Sequence, residues 1–320
     1  MSLLEGYKAS LKSLEVEESI DVFLHRPLGY LVALSLFRTP ISPDLVTVGS
    51  VAMGIAAGVC ILWPFPNHLL VAGLLVFVSI VLDCSDGQLA RMRKTSSTFG
   101  RMIDGVGDSV VTAAVVLPWM YFMWARYEAQ PLVGVCLVGL AVCAVITSSF
   151  HTSMYDHYKN VFLQMTREKH TDAESHVGAL ERRERQKATQ PWWVRVAWVP
   201  YLFYTKGQAD TVARFDPHSY VRVEELPAYS PERAAIYREH NLPVMRVWKS
   251  CMGFGFLMLG IAVFVALGLP EVFIGVRLVL CNAIFYLYLR PAQRRASRRA
   301  FHQMGFGNPD VVRCQEAIHE

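Results

Sequence analysis

The sequence predicts an all-α integral membrane protein, with six transmembrane helices preceded by an interfacial amphipathic helix. Three observations carry this expectation. Hydrophobic residues make up 53% of the 320 positions and charged residues only 18%, below the roughly one quarter usual in soluble domains. The apolar residues gather into long runs, each near the ~20 residues that cross a bilayer core. Arginine and lysine cluster at alternate links between those runs, as the positive-inside rule requires.

Residues 1–42 read as a cytoplasmic N-terminus and interfacial helix. The opening MSLLEGYKASLKSLEVEESID is polar and mixed in charge, so no signal peptide is expected. VFLHRPLGYLVALSLFRTP then mixes apolar residues with His25, Arg26 and Arg38. It is too interrupted to span, and a helix lying in the interface plane fits it. Residues 43–160 hold the first four spans, at roughly 45–63, 68–90, 98–125 and 131–157. Residues 161–245 form a cytoplasmic or interfacial insertion. Its stretch TREKHTDAESHVGALERRERQKATQ is solvated, and WWVRVAWVPYLFY offers Trp192, Trp193 and Trp198 as headgroup anchors. Residues 246–293 hold spans five and six, near 247–268 and 270–290, and 294–320 form a basic cytoplasmic tail. The links PFPNH, ARYEAQP and GLPE carry little positive charge, whereas RMRK, the stretch from Lys159 to Lys249 and RPAQRRASRR carry much. Both termini and the long insertion are therefore assigned to the cytoplasm.

A formal net charge of +4 is too small to argue for nucleic acid. Basic residues beside apolar spans suit anionic lipid headgroups instead. The seven cysteines show no metal-type spacing, and they read as reduced and structural.

The chemistry is concentrated in VLDCSDGQLARMRKTSSTFGRMIDGVGDS, residues 81–109. Asp83 and Asp86 are three apart and share a helical face, which Gly87 and Ala90 continue. Gly100, Asp104 and Asp108 recur at four-residue intervals on one face of the next helix. A short basic turn joins the two, so they are expected as antiparallel neighbours with their acidic faces at one depth. Four carboxylates near a membrane interface repel one another, and an ionised group at membrane depth costs several kcal/mol. They call for cations, and carboxylate oxygens on rigid helices suit Mg²⁺ or Mn²⁺ better than zinc. Two such ions would favour displacement at phosphorus, with Arg91, Arg93, Lys94 and Arg101 near enough to hold phosphates.

The pattern Asp83-x-x-Asp86-Gly87-x-x-Ala90-Arg91, then Gly100-x-x-x-Asp104-x-x-x-Asp108, resembles the signature of the CDP-alcohol phosphotransferases. All eight fixed positions are present over 26 residues. The upstream Arg38-Thr-Pro-Ile-Ser-Pro-Asp44-Leu-Val-Thr47 is also similar to the family's approach to its first span. The resemblance implies a cytoplasmic site for a CDP-linked donor, either CDP-diacylglycerol or a CDP-linked small alcohol. It implies an acceptor alcohol, a small polyol or a lipid, and release of CMP in phospholipid biosynthesis. By the same resemblance Asp83, Asp86, Asp104 and Asp108 would ligate two metal ions, with Asp108 also the base. Asp44, Thr47, Gly87, Ala90, Arg91, Ser97 and Gly100 would line the nucleotide site. Family analogy also suggests a homodimer. A choline or ethanolamine transferase would carry His after Asp104, where Gly105 stands.

Other polar residues have two readings. His151, Tyr155 and Tyr158, with Asp156, His157 and Lys159, could form a headgroup pocket or an ordinary polar span end. His25, Arg26, Arg246 and Lys249 could hold a phosphate or snorkel as anchors. Met245 and Met252 read as packing. The alternative function is a transporter with the acids on a cation path, which predicts carboxylates near midplane and an inverted repeat. Here the acids cluster near one interface and no repeat is visible.

Overall fold

Backbone groups inside a bilayer find no water, so an apolar run must bond its own N–H and C=O groups. Every long apolar run of this chain is a helix. The computed structural model describes residues 3–11, 13–95, 98–168, 176–186, 192–219 and 229–306, and no strand occurs among them. In chain order the helices are α1 (Leu3–Ser10), α2 (Arg26–Leu36), α3 (Pro43–Leu62), α4 (His68–Arg93), α5 (Thr98–Arg126) and α6 (Pro131–Thr166). Then come α7 (His176–Gln186), α8 (Trp192–Phe215), α9 (Pro231–Cys251), α10 (Phe254–Leu267), α11 (Pro270–Gly275) and α12 (Arg290–Gln303). Wider-turned helical stretches, Val276–Cys281 and Ile284–Leu289, join the last two.

Among the described residues, six helical stretches are long and apolar enough to cross a membrane: Pro43–Leu62, His68–Arg93, Gly105–Arg126, Pro131–Thr166, Pro231–Leu267 and Pro270–Gln303. The fourth and sixth run on past their apolar segments, and the fifth begins well before its own. The polar continuations keep their helical hydrogen bonds while packing against protein.

The chain forms two compact units, Met1–Ser149 with Lys249–Asn282 and Phe150–Trp248 with Ala283–Glu320. In the first, α3 packs against both α4 and α5, and α4 also takes α2 and α10. Lipid gives helices little hydrophobic reason to associate, so close approach of small residues and interhelical hydrogen bonds do the work. An added Cβ on Gly54 would come 2.7 Å from Val111, and one on Gly58 would collide with the Ala114 carbonyl. Ser50 and Ser79 each donate to the other's backbone carbonyl, at 2.9 and 2.8 Å, pinning α3 to α4. Ala57, Ile61, Val76, Val115, Trp119 and Met258 fill the space beneath. The segment between α1 and α2 is tied in as well. Glu18 is buried and accepts from the Gly255 and Phe256 amides at 3.2 and 3.1 Å, capping α10 with a carboxylate at its positive end.

The second unit has an aromatic core in which Phe285 meets the rings of Phe150, His151, Phe215 and Trp248. Beside it runs a buried polar web. Asp216 accepts from Ser297 Oγ at 2.6 Å, the Ser219 amide at 3.3 Å and the Tyr158 hydroxyl at 3.4 Å. Burial pushes the Asp216 carboxyl up to about 6, against the pull of those three bonds. Tyr158 thus belongs to a structural web, and His151 and Tyr155 are buried with it. Trp198, expected among lipid headgroups, is instead buried inside this unit against Tyr201. The side chains of Trp192 and Trp193 lie outside the described residues. Met245 and Met252 are buried packing residues, as the sequence suggests.

Candidate functional site

The acids are carried by α4 and α5, and α3 packs against both helices. Ser42 caps α3, its hydroxyl accepting from the Leu45 amide at 3.2 Å, with Pro43 at the first position and Asp44 in the first turn. Asp44 is exposed there, where a carboxylate suits the helix N-terminus. One turn on, the Thr47 hydroxyl donates to a carboxylate oxygen of Asp86 on α4. Both residues are buried. The Thr47 methyl faces α5, since a Cβ on Gly107 would stand 3.7 Å from Thr47 Cγ2 and 3.2 Å from Val51 Cγ2. The missing side chain at Gly107 is what lets α5 close on α3 beside Asp108, which is half-buried.

Around this locus the small residues leave space. A Cβ on Gly105 would meet nothing within 4 Å. One on Gly87 would meet only the Arg91 guanidinium, 3.5 Å from Nη1 and 3.9 Å from Nη2. Asp83 and Ala90 are half-buried on the same helix. The Ala90 carbonyl accepts from the Thr95 amide at 2.9 Å, which closes α4 as Lys94 turns into the left-handed region at φ 56°. Gly100 and Asp104 fall within the helical backbone of α5, but their side-chain surroundings, and those of Arg101, lie outside the described residues. Ser97 lies outside them altogether.

The basic residues divide by what already holds them. Arg91 Nε donates to the Ser10 carbonyl at 2.7 Å. Arg93 donates to four backbone carbonyls of the α2–α3 turn: Leu36 and Ile41 at 2.5 Å, Thr39 at 2.9 Å and Phe37 at 3.1 Å. A turn of that shape leaves carbonyls without helical partners, and Arg93 is committed to them rather than to a phosphate. His25 pairs with Asp21 at 2.8 Å and Arg26 with Glu17 at 3.3 Å, both inside the first unit. Lys249 donates to the Leu14 carbonyl at 2.6 Å.

Among the described residues no group of three or more His, Cys, Asp or Glu is arranged to hold a metal. The fourth acid, Asp104, has its side chain outside that set. Asp83, Asp86 and Asp108 could offer only oxygen donors, beside uncovered space at Gly87 and Gly105, and oxygen donors suit hard divalent ions. Four further residues escaped the sequence reading: the Ser50–Ser79 pair, Gln88 and Arg277. Gln88 is buried and donates to Ser10 Oγ at 3.1 Å. Arg277 is buried, with Nε on Ser148 Oγ at 2.8 Å. Each is a polar side chain inside an apolar run, and that exception to the pattern was the available signal.

Residues 40–166 match the model of the sequence family described as CDP-alcohol phosphatidyltransferase. The chain is similar to curated proteins named phosphatidylinositol phosphate synthase. That of Mycobacteroides abscessus is 27% identical over 126 residues, 38% of this chain and 56% of the relative. That of Mycobacterium tuberculosis is 28% identical over 117 residues, 36% and 52% of the two chains. That of Corynebacterium glutamicum is 29% identical over 117 residues, again 36% and 52%. The chain thus spans about half the length of the curated relatives it matches.

Proposed function

We propose that the CDP-alcohol phosphatidyltransferase domain at residues 40–166 moves a substituted phosphate from a CDP-linked donor to an alcohol hydroxyl, releasing CMP, in phospholipid biosynthesis. The observation that carries this is Thr47, with its hydroxyl on Asp86 and its methyl against Gly107. It links α3 to Asp86 of α4 and to Gly107 of α5, next to Asp108. Asp83, Asp86, Asp104 and Asp108 would hold two divalent ions, Mg²⁺ or Mn²⁺. When bound, such ions neutralise the donor's diphosphate and the charge developing on the departing nucleotide.

The remaining work falls to the chain's own groups. Asp108 takes the proton of the acceptor hydroxyl, whose oxygen then bonds to the phosphorus bearing the donor's alcohol. The bond from that phosphorus to the oxygen bridging toward cytidine breaks, and CMP leaves with that oxygen. Arg91 offers its guanidinium edge to the diphosphate over Gly87, while the Asp44–Thr47 turn, Ala90, Ser97 and Gly100 line the cytidine. The positive-inside pattern supports a cytoplasmic position for this site. For substrates, the favoured pair is CDP-diacylglycerol with a phosphorylated polyol of the inositol phosphate kind. The relatives' name specifies such a product, and Gly105 stands where choline-type enzymes carry His.

The test is CMP release by the purified full-length chain with Mg²⁺ or Mn²⁺ and a panel of CDP-linked donors and acceptors. CDP-diacylglycerol with inositol phosphate is expected to turn over, and Asp108→Asn to slow it by roughly 10²–10⁴-fold. Turnover only of a CDP-linked small alcohol with diacylglycerol would reverse the substrate assignment. No CMP from any donor would end the transferase reading.

A further inference from the structure

We infer that the N-terminal segment through Glu18, and Ser10 above all, is a positioning element for the donor diphosphate that acts through Arg91. It lies outside the matched residues 40–166, and the inference rests on the transferase reading above. Ser10 is buried at the end of α1. Its carbonyl accepts from Arg91 Nε at 2.7 Å, and its hydroxyl accepts from Gln88 Nε2 at 3.1 Å. Gln88 and Arg91 are three apart on α4, so Ser10 grips one face of the helix that carries Asp83, Asp86 and Gly87.

Ser10 is itself held from several directions. Its hydroxyl donates to the Tyr7 carbonyl at 2.7 Å, and the Tyr7 hydroxyl donates to the Val22 carbonyl at 2.6 Å. The Tyr7 ring meets Tyr30 of α2 edge-on at 5.9 Å. Further along, Leu14 is held by Lys249, Glu17 by Arg26, and Glu18 by the N-terminus of α10. The segment is therefore a strap fastened at Tyr7, Ser10, Leu14, Glu17 and Glu18.

Its consequence falls on the guanidinium. With Nε turned to Ser10, the two Nη groups lie across Gly87, 3.5 and 3.9 Å from where a Cβ would stand. That pair is the edge that meets a phosphate end-on with two parallel hydrogen bonds. The strap thus sets a long, flexible side chain in one orientation, over uncovered backbone beside Asp86, before the donor arrives.

Ser10→Ala and Tyr7→Phe loosen the strap in the full-length chain without touching any group assigned to the donor. Each is expected to raise the donor KM roughly three- to tenfold with kcat and acceptor KM unchanged. In an Arg91→Lys background, whose side chain has no Nε for Ser10, the same changes should add less than about twofold. An unchanged donor KM in both strap variants overturns the inference. So does a fall in kcat at constant donor KM, or a full effect persisting beside Arg91→Lys, since either would mark a merely structural role. A wild-type chain that releases no CMP overturns the proposed function and this inference with it. A wild-type chain that turns over, with a donor KM indifferent to the strap, overturns the inference alone.

Discussion

Replacing Thr47 by Val keeps the branched shape that faces Gly107 and deletes one hydroxyl. That hydroxyl donates to Asp86 inside a buried site. A hydrogen bond to a charged acceptor contributes about 1.5–3 kcal/mol, or roughly 10- to 150-fold in an equilibrium constant. Asp86 has further interactions within the fold, so the lower end applies and a roughly tenfold effect is expected. The hydroxyl also donates to the Pro43 carbonyl at 3.3 Å, a longer helical back-bond that adds little. If Asp86 is a metal ligand oriented by Thr47, the loss falls on metal binding. Mg²⁺ titrations of CMP release should then show half-maximal activity at roughly tenfold higher Mg²⁺, with the thermal midpoint nearly unmoved. Thr47→Ser keeps the hydroxyl and drops the methyl, and it should restore most of the metal affinity. Wild-type metal dependence in Thr47→Val, or a Ser variant no better than Val, would refute the orienting role.

Three other perturbations separate structural from functional groups. Arg93→Lys keeps the charge but loses the fork that serves the α2–α3 turn, so about 2–3 kcal/mol of stability should go; thermal unfolding in detergent should fall while donor KM holds. The Asp216 carboxyl stands at about 6 in the fold against an ordinary 3.8, so folding favours its protonated form. Its stabilising contribution is complete below about pH 4 and lost as pH rises through 6, about 3 kcal/mol in all. Asp216→Asn, neutral throughout and still able to accept from Ser297, should flatten the pH dependence of the thermal midpoint over that window and raise it at pH 7. Gly58→Ala would drive a Cβ into the Ala114 carbonyl, and separating α3 from α5 should cost about 1–3 kcal/mol, read as a lower midpoint and a smaller folded yield.

The six spans were legible because lipid leaves an apolar run one way to satisfy its backbone. The acids stand out in the sequence because charge at membrane depth is costly, and the structure carries Asp83 and Asp86 on α4 and Asp108 on α5. Helix ends were less so. A helix continues wherever protein packs against it, which is why α6 reaches Thr166 and the fifth crossing begins at Pro231. Arg93 shows a second kind of limit. It stands two residues from Arg91 in the same basic turn, with the same charge and no difference in pattern. One is bound by four carbonyls and the other by one. That difference is set by where the α2–α3 turn folds back, which periodicity does not encode.

The same reasoning explains why the site reaches beyond its own motif. Two acids three apart on one helix, and two more four apart on another, specify faces but no distance between the helices. That distance is set by α3, through Gly54 against Val111, Gly58 against Ala114, and Thr47 against both Asp86 and Gly107. The orientation of Arg91 is set from further away still, by Ser10, 81 residues back in the chain. Glu18 reaches 237 residues forward to cap α10. Such partners carry no local spacing to read. A carboxylate cluster that must hold its geometry against mutual repulsion needs supports that do not themselves bear charge toward it, and small residues, hydroxyls and backbone carbonyls meet that need. On the proposed function the motif supplies the reacting groups, and the residues that would fix them in place are the uncharged ones around it.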